Sequence, residues 1–300
     1  VAAAMRFAHE RGIPVTPRGA GVGYVGGCVP VNGGIVISVA RMTRILEVNP
    51  ADGVAVAEAG VLTADLQAAC AEVGWFYPPD PASRKESSIG GNIATNAGGP
   101  RCLKYGVTRA YVLGLTVVLA DGRVLRCGGR THKNKQGFDL VGLFCGSEGM
   151  LGIVTEATLR IIPAPPARAA LHASFPEFAL AAAAVQNTLQ GGHLPCAIEI
   201  TDSFTLAAAR NHLGPSALPA GAQDPRARHQ PQPRAHGDEG RTAVRQAQAG
   251  QLHKGAEDIR RLRAPPFRHR RAQDRQQRRQ AHLHRAGGHI GIQVQPVIAE

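Results

Sequence analysis

The stretch Pro78–Gly99, which reads PPDPASRKESSIGGNIATNAGG, constrains the chain more than any other. It carries Gly90-Gly91 and Gly98-Gly99, with Ser87, Ser88, Asn92, Thr95 and Asn96 among and before them. Such a segment has little side chain from which to build a core. It offers backbone N–H groups, free φ angles and short hydrogen-bonding side chains instead. That combination predicts a loop wrapped closely around a large, polar, phosphate-bearing ligand. The alternative is an ordinary glycine-rich surface loop.

Two further glycine-rich segments favour the ligand. In Pro17–Gly27, residues Gly21, Gly23 and Gly26 satisfy GxGxxG. A nicotinamide-binding unit would need a helix directly afterwards, with its N-terminus on the pyrophosphate. Cys28–Gly34 follows instead, with Pro30, Gly33 and Gly34, and then a strand is expected over Ile35–Val39. The dinucleotide fingerprint is therefore rejected. A P-loop is rejected too, because no Gly-Lys-Ser/Thr follows. The loop can still hold phosphate through its own amides. The third segment, Gly146–Gly152, enters an alternating strand over Ile153–Ile161. Glu148 within it reads as a solvated or capping acid rather than a general base. Asp65, in the first turn of a helix expected over Thr63–Val73, reads as a partner of the helix dipole.

Around these segments the pattern is mixed α and β. A helix is expected over Val1–Arg11, ended by Gly12, followed by strands over Ile13–Thr16 and Val54–Ala57. Val112–Leu119 and Arg123–Arg126 flank Asp121-Gly122 as a hairpin. Pro163–Pro166 reads as a linker. Beyond it come a strand over Ala169–Ser174, a helix over Pro176–Gln190, a strand over Ala197–Thr201 and a helix over Ser203–Asn211. The six cysteines show no CxxC pair and read as free or buried thiols. No apolar run is long enough to span a bilayer, and no charged-then-apolar leader opens the chain. A cytoplasmic location, or one peripheral to the inner membrane, is the expectation.

RGAGVGYVGG, PPDPAS…SSIGGNIATNAGG, LKYG and GSEGMLGIVTEATL, in this order and spacing, resemble the FAD-binding domain of the vanillyl-alcohol-oxidase superfamily. The resemblance is strongest to the group of the glycolate oxidase flavoprotein subunit and D-lactate dehydrogenase, and it covers residues 1 to about 215. It implies an α+β fold: a PCMH-type FAD-binding domain of two α+β subdomains over 1–162, its N-terminal strand missing. The start of an α+β cap domain would follow over 163–221. Arg18, Gly19, Ala20, Gly21, Val22 and Gly23 would hold the pyrophosphate. Asp80, Ser83, Ser88, Gly90, Gly91, Asn92, Thr95, Asn96 and Gly98 would line the adenosine and ribityl path, and the main chain at Gly152 and Ile153 would meet the far part of the cofactor. The first loop has neither His nor Cys between Arg18 and Gly27, so FAD is expected to be noncovalent. The implied reaction passes a hydride from C2 of a 2-hydroxy acid to flavin N5, with electron-transfer subunits as possible partners. No catalytic residue is assigned.

The net charge of +12 suggests nucleic acid, but its distribution argues otherwise. Residues 222–300 hold about 16 Lys and Arg against about 7 Asp and Glu, which leaves only about +3 for the glycine-rich body. This tail is rich in Arg, Gln, His and Pro, and it sustains no apolar period until Ile290–Ile298. Its composition predicts a segment that buries too little surface to fix a fold. The metal-binding histidine segments that the resemblance implies are absent, and His282, His284 and His289 make at best a weak site. We read the tail as an out-of-frame translation that replaces the rest of the enzyme and impairs it. The rival reading is a non-catalytic scaffold whose basic tail binds nucleic acid. Retranslating the coding DNA separates the two: the out-of-frame reading requires the missing histidine segments to appear in another frame.

Overall fold

The computed structural model describes residues Val1–Leu213 and Ile290–Gln295. The readings placed on the basic tail lie outside the described residues, apart from a strand at Ile290–Gln295. No helix among the described residues is long and apolar enough to cross a membrane.

The chain opens with α1 (Ala2–Glu10), which buries Met5 and Ala8 and ends at Gly12 (φ +60°). Strands β1 (Val15–Arg18) and β2 (Ile35–Ser38) pair in parallel. No helix separates them, as the rejection of the dinucleotide fingerprint requires. β3 (Ile45–Asn49) and β4 (Val54–Glu58) form an antiparallel hairpin, and α2 (Thr63–Glu72) follows. α2 buries Thr63, Leu66 and Cys70, which are spaced to share one face. Asp65 stands exposed in its first turn.

After β5 (Trp75–Phe76) comes a correction. The stretch expected to be a loop contains a helix, α3 (Ile89–Thr95). Ser88 caps it, its Oγ accepting from the Gly91 N–H at 3.3 Å, and Asn96 ends it in the left-handed conformation. Ile89, Gly90, Asn92 and Ile93 are buried. A Cβ on Gly90 would stand 2.7 Å from the Ala59 Cβ, so the glycine is there for close packing as well as freedom.

A short helix α4 (Cys102–Tyr105) leads to the expected hairpin, β6 (Val112–Val118) with β7 (Val124–Gly128). Then come α5 (Leu140–Phe144), β8 (Ile153–Arg160) and β9 (Ile162–Pro163). β9 pairs with β5, so the expected linker begins inside a strand. The main sheet runs β3-β4-β8-β6-β7, antiparallel throughout. Its central strand β8 alternates from Thr155 onward, and Ala55, Ala57, Val117, Leu159 and Ile161 share one buried cluster with Leu66, Ile89 and Ile93 of α2 and α3. Tyr77 is wholly buried edge-on to Tyr111, and among the described residues its hydroxyl has no partner. All six cysteines are free thiols.

These elements form one compact unit, which among the described residues comprises Val1–Leu171, Leu194–Glu199 and 294–295; a second comprises His172–His193, 200–213 and 290–293. Past the main sheet come β10 (Leu171–Phe175), α6 (Phe178–Gln190), β11 (Ala197–Thr201), α7 (Ser203–Leu213) and β12 (Ile290–Gln295). The first four repeat the order read from the sequence.

One surface clasp gives an acid-titration test. Arg130 donates from Nη1 to Glu47 Oε2 at 2.7 Å and from Nη2 to Glu47 Oε1 at 2.8 Å and Asp52 Oδ2 at 2.9 Å, tying the segment after β7 to the β3–β4 turn. Arg130, then Asn49, holds the Glu47 carboxyl down to about 2. A depressed carboxyl contributes stability that is complete above the ordinary range and is lost as pH falls through the folded value. The clasp should therefore persist until about pH 2. Following the Glu47 carboxyl carbon by NMR should show this midpoint, and Arg130→Gln should raise it towards the ordinary range, with Asn49 still holding it below.

Candidate functional site

The three glycine-rich segments meet. Arg18 and Gly19 at the end of β1, Gly90 and Gly91 of α3, and Gly152 and Ile153 at the start of β8 line one narrow crevice of about 70 Å³. The approach is close. A Cβ on Gly19 would lie 2.7 Å from Ser88 Oγ and 3.4 Å from the Gly91 Cα. A Cβ on Gly149 (φ +80°) would lie 2.5 Å from the Pro17 Cγ. The third segment is fastened to the end of α3: Gly146 N–H donates to Ile93 O at 2.9 Å and Glu148 N–H to Ala94 O at 2.8 Å. Helix carbonyls left open at the C-terminus are thereby satisfied.

The crevice wall holds uncommitted donors: the N–H groups of Gly19, Gly149 and Gly152 donate to no acceptor among the described residues. Those of Ala20, Gly21, Val22 and Gly23, in the loop that continues from Gly19 but lining neither cavity, donate to none either. Arg18 folds back over Gly21, whose Cβ would sit 3.1 Å from Arg18 Nε, and meets no carboxylate among the described residues. Open amides beside one free guanidinium suit a polyanion, since backbone dipoles stabilise charge without the cost of burying several ions.

A second, wider cavity of about 460 Å³ adjoins the first and shares Pro17, Glu148, Gly149, Gly152 and Ile153 with it. Met5, Ala8 and His9 of α1 and Val15 and Thr16 of β1 form its far side. Sequence reasoning missed these residues; the only available signal was the shared face of Met5, Ala8 and His9, indistinguishable from a core-facing stripe. Glu148, exposed and at φ +52°, stands where both cavities meet.

The remaining residues expected at the site lie elsewhere. Asn92 turns inward: its Nδ2 donates to Thr63 Oγ1 at 2.5 Å, and Thr63 Oγ1 donates to the Ser87 carbonyl at 3.2 Å, all in the buried interior. Ser88 is the cap behind Gly19. Thr95 Oγ1 donates back to Gly91 O, and Asn96 Oδ1 accepts from the Arg109 N–H. Asp80 is held by Arg84 and Arg101, each at 3.2 Å. Ser83 O closes a turn with Glu86 and Ser87, and Gly98 lies beside Cys102 Sγ. None of these seven residues lines either cavity.

The described elements make an α+β fold in which three glycine-rich segments share one crevice. Residues 1–128 match the family model described as an FAD binding domain, and the chain carries that domain. It is 44% identical over 202 residues to glycolate oxidase subunit GlcD of Bacillus subtilis (strain 168), covering 67% of this chain and 43% of that protein. It is 40% identical over 219 residues to a D-lactate dehydrogenase of Anaerostipes hadrus, covering 73% and 46%. An alkyldihydroxyacetonephosphate synthase structure shares the fold, with a TM-score of 0.64 at 22% identity over 98% of this chain and 44% of that one. The chain thus spans less than half the length of these relatives.

Proposed function

We propose that this chain is the flavin-binding part of an oxidoreductase acting on a 2-hydroxy acid of the glycolate or D-lactate kind, with FAD held noncovalently. The observation that carries this reading is the convergence of three glycine-rich segments on one crevice lined by unpaired backbone N–H groups. The open amides of Gly19–Gly23 and the Arg18 guanidinium would hold the pyrophosphate, with Gly91 and Gly152 admitting it by their lack of side chain. Bound flavin would supply the acceptor for the hydride leaving C2 of the substrate. Residues 163–221 would open a domain covering the site. The group that takes the hydroxyl proton would come from the half of the relatives that this chain does not match, so turnover by this polypeptide should be weak.

The test is direct. The purified, desalted protein should retain flavin absorbance, and acid precipitation should release all of it to the supernatant. Flavin in the pellet would instead point to attachment, with His9 at the wider cavity or Cys28 after Gly27 as the nearest candidates. Glycolate and D-lactate should then be assayed with an artificial acceptor. A colourless protein that fails to take up added FAD would end the proposal. Arg18→Gln removes the one charged donor of the first loop and should weaken FAD binding about tenfold or more, because a charge-assisted hydrogen bond is worth about 1.5–3 kcal/mol. Flavin fluorescence titration reads the change.

A further inference from the structure

Another polar centre lies on the approach to α3, and none of its residues lines either cavity. Phe76 of β5 meets the ring of Tyr105 edge-on, with centroids 5.6 Å apart. The Arg101 guanidinium lies 5.0 Å from the Phe76 centroid and the Arg168 guanidinium 5.6 Å from it; Lys104 Nζ lies 5.9 Å from the Tyr105 ring. Arg84 joins through Asp80, whose two oxygens take Arg84 Nε and Arg101 Nε. Two cations therefore share one carboxylate, and two more, Arg168 and Lys104, stand over the adjoining rings. Among the described residues, neither Arg168 nor Lys104 meets a carboxylate, and the Tyr105 hydroxyl has no hydrogen-bond partner.

We propose that Arg101, Tyr105 and Arg168 form an oxyanion-binding site, with Lys104 at its rim, that takes a carboxylate or phosphate group. Two guanidiniums brought onto one aromatic ring repel each other, and an anion between them removes that repulsion. Arg101 is recorded on Asp80 through Nε, and a planar guanidinium so held can still grip an oxyanion through its remaining N–H groups. Both guanidiniums reach the Tyr105 phenol electrostatically. Burial and Cys196 push that hydroxyl up, while Arg101 and Arg168 pull it down. It thus remains a protonated donor at neutral pH, beside two permanent cations.

The full chain should be titrated by calorimetry at low ionic strength with sodium glycolate and, separately, with inorganic phosphate, against chloride as the control. Saturable binding of at least one oxyanion is expected, at least tenfold weaker in Arg168→Gln and in Arg101→Gln. Glycolate alone would assign the group as carboxylate, phosphate alone as phosphate, and either supports the site. Arg101→Gln disturbs the Asp80 pairing, so the exposed Arg168→Gln decides the matter. No saturation beyond chloride would overturn the proposal. So would a loss of binding in Arg18→Gln with none in Arg168→Gln, which would place the anion in the glycine crevice. FAD retention, measured on the same samples, should be unchanged in Arg168→Gln, which keeps this test separate from that of the flavin site.

Discussion

Gly19→Val is expected to lower FAD affinity at least a hundredfold while the protein stays folded. The reason is placement. Even a methyl group at this position would press on Ser88 Oγ at 2.7 Å and on Gly91 Cα at 3.4 Å, and valine adds two more carbons. The end of β1 would have to move away from the N-terminus of α3, which parts the walls of the crevice that Arg18, Gly91 and Gly152 now share. A hundredfold loss corresponds to about 2.7 kcal/mol of binding. The strain can be relieved locally, because Gly19 precedes an open loop rather than the main sheet, so the melting temperature should change little. A double-mutant cycle sharpens the result. Gly19→Ala alone should weaken FAD, and Gly19→Ala with Ser88→Ala should recover most of the loss, since the obstructing oxygen is gone. The cap costs about 1 kcal/mol of stability in that double variant. Undiminished FAD affinity in Gly19→Val would mean that the cofactor does not depend on this crevice.

What could be read from the sequence, and what could not, follows from local physics. The loop over Gly19–Gly27 was legible because the alternative failed on a definite requirement: no helix could start where Pro30, Gly33 and Gly34 stand. The helix α3 was hidden by its own composition. IGGNIAT contains two glycines in seven residues, and each lowers helix propensity by about 1 kcal/mol relative to alanine. It forms because Ser88 caps it and because Gly90 lets it lie against Ala59, a tertiary contact invisible along the chain. Strand β3 escaped notice for a different reason. The register against β4 slips between Ile45 and Glu47, and such a bulge breaks the alternation by which a strand is recognised. The role of α1 was hidden as well, because a stripe facing a cavity and a stripe facing a core have the same period.

Asn92 shows most sharply how a site motif can mix residues of different purpose, and Asn92→Ala should separate them. Its neighbours Gly90 and Gly91 face the crevice, yet its own carboxamide is buried and donates to Thr63. Removing it takes a hydrogen bond from the buried Thr63–Ser87 pair and leaves a void beneath α3. A buried polar group stripped of its partner costs about 1–3 kcal/mol. For a folded region of this size, that is about 2–12 °C in melting temperature, at about 2–4 °C per kcal/mol. The loss should be the same in the apo-protein and with saturating FAD, because the side chain contributes to holding α3 in place and not to gripping the ligand. Gly19→Val should do the reverse, changing little in the apo-protein and removing most of the stabilisation that FAD confers. Differential scanning calorimetry of both variants, with and without FAD, reads all four values. If Asn92→Ala instead loses stability only in the presence of FAD, its carboxamide reaches the cofactor, and the inward hydrogen bond to Thr63 is not what selects asparagine at this position.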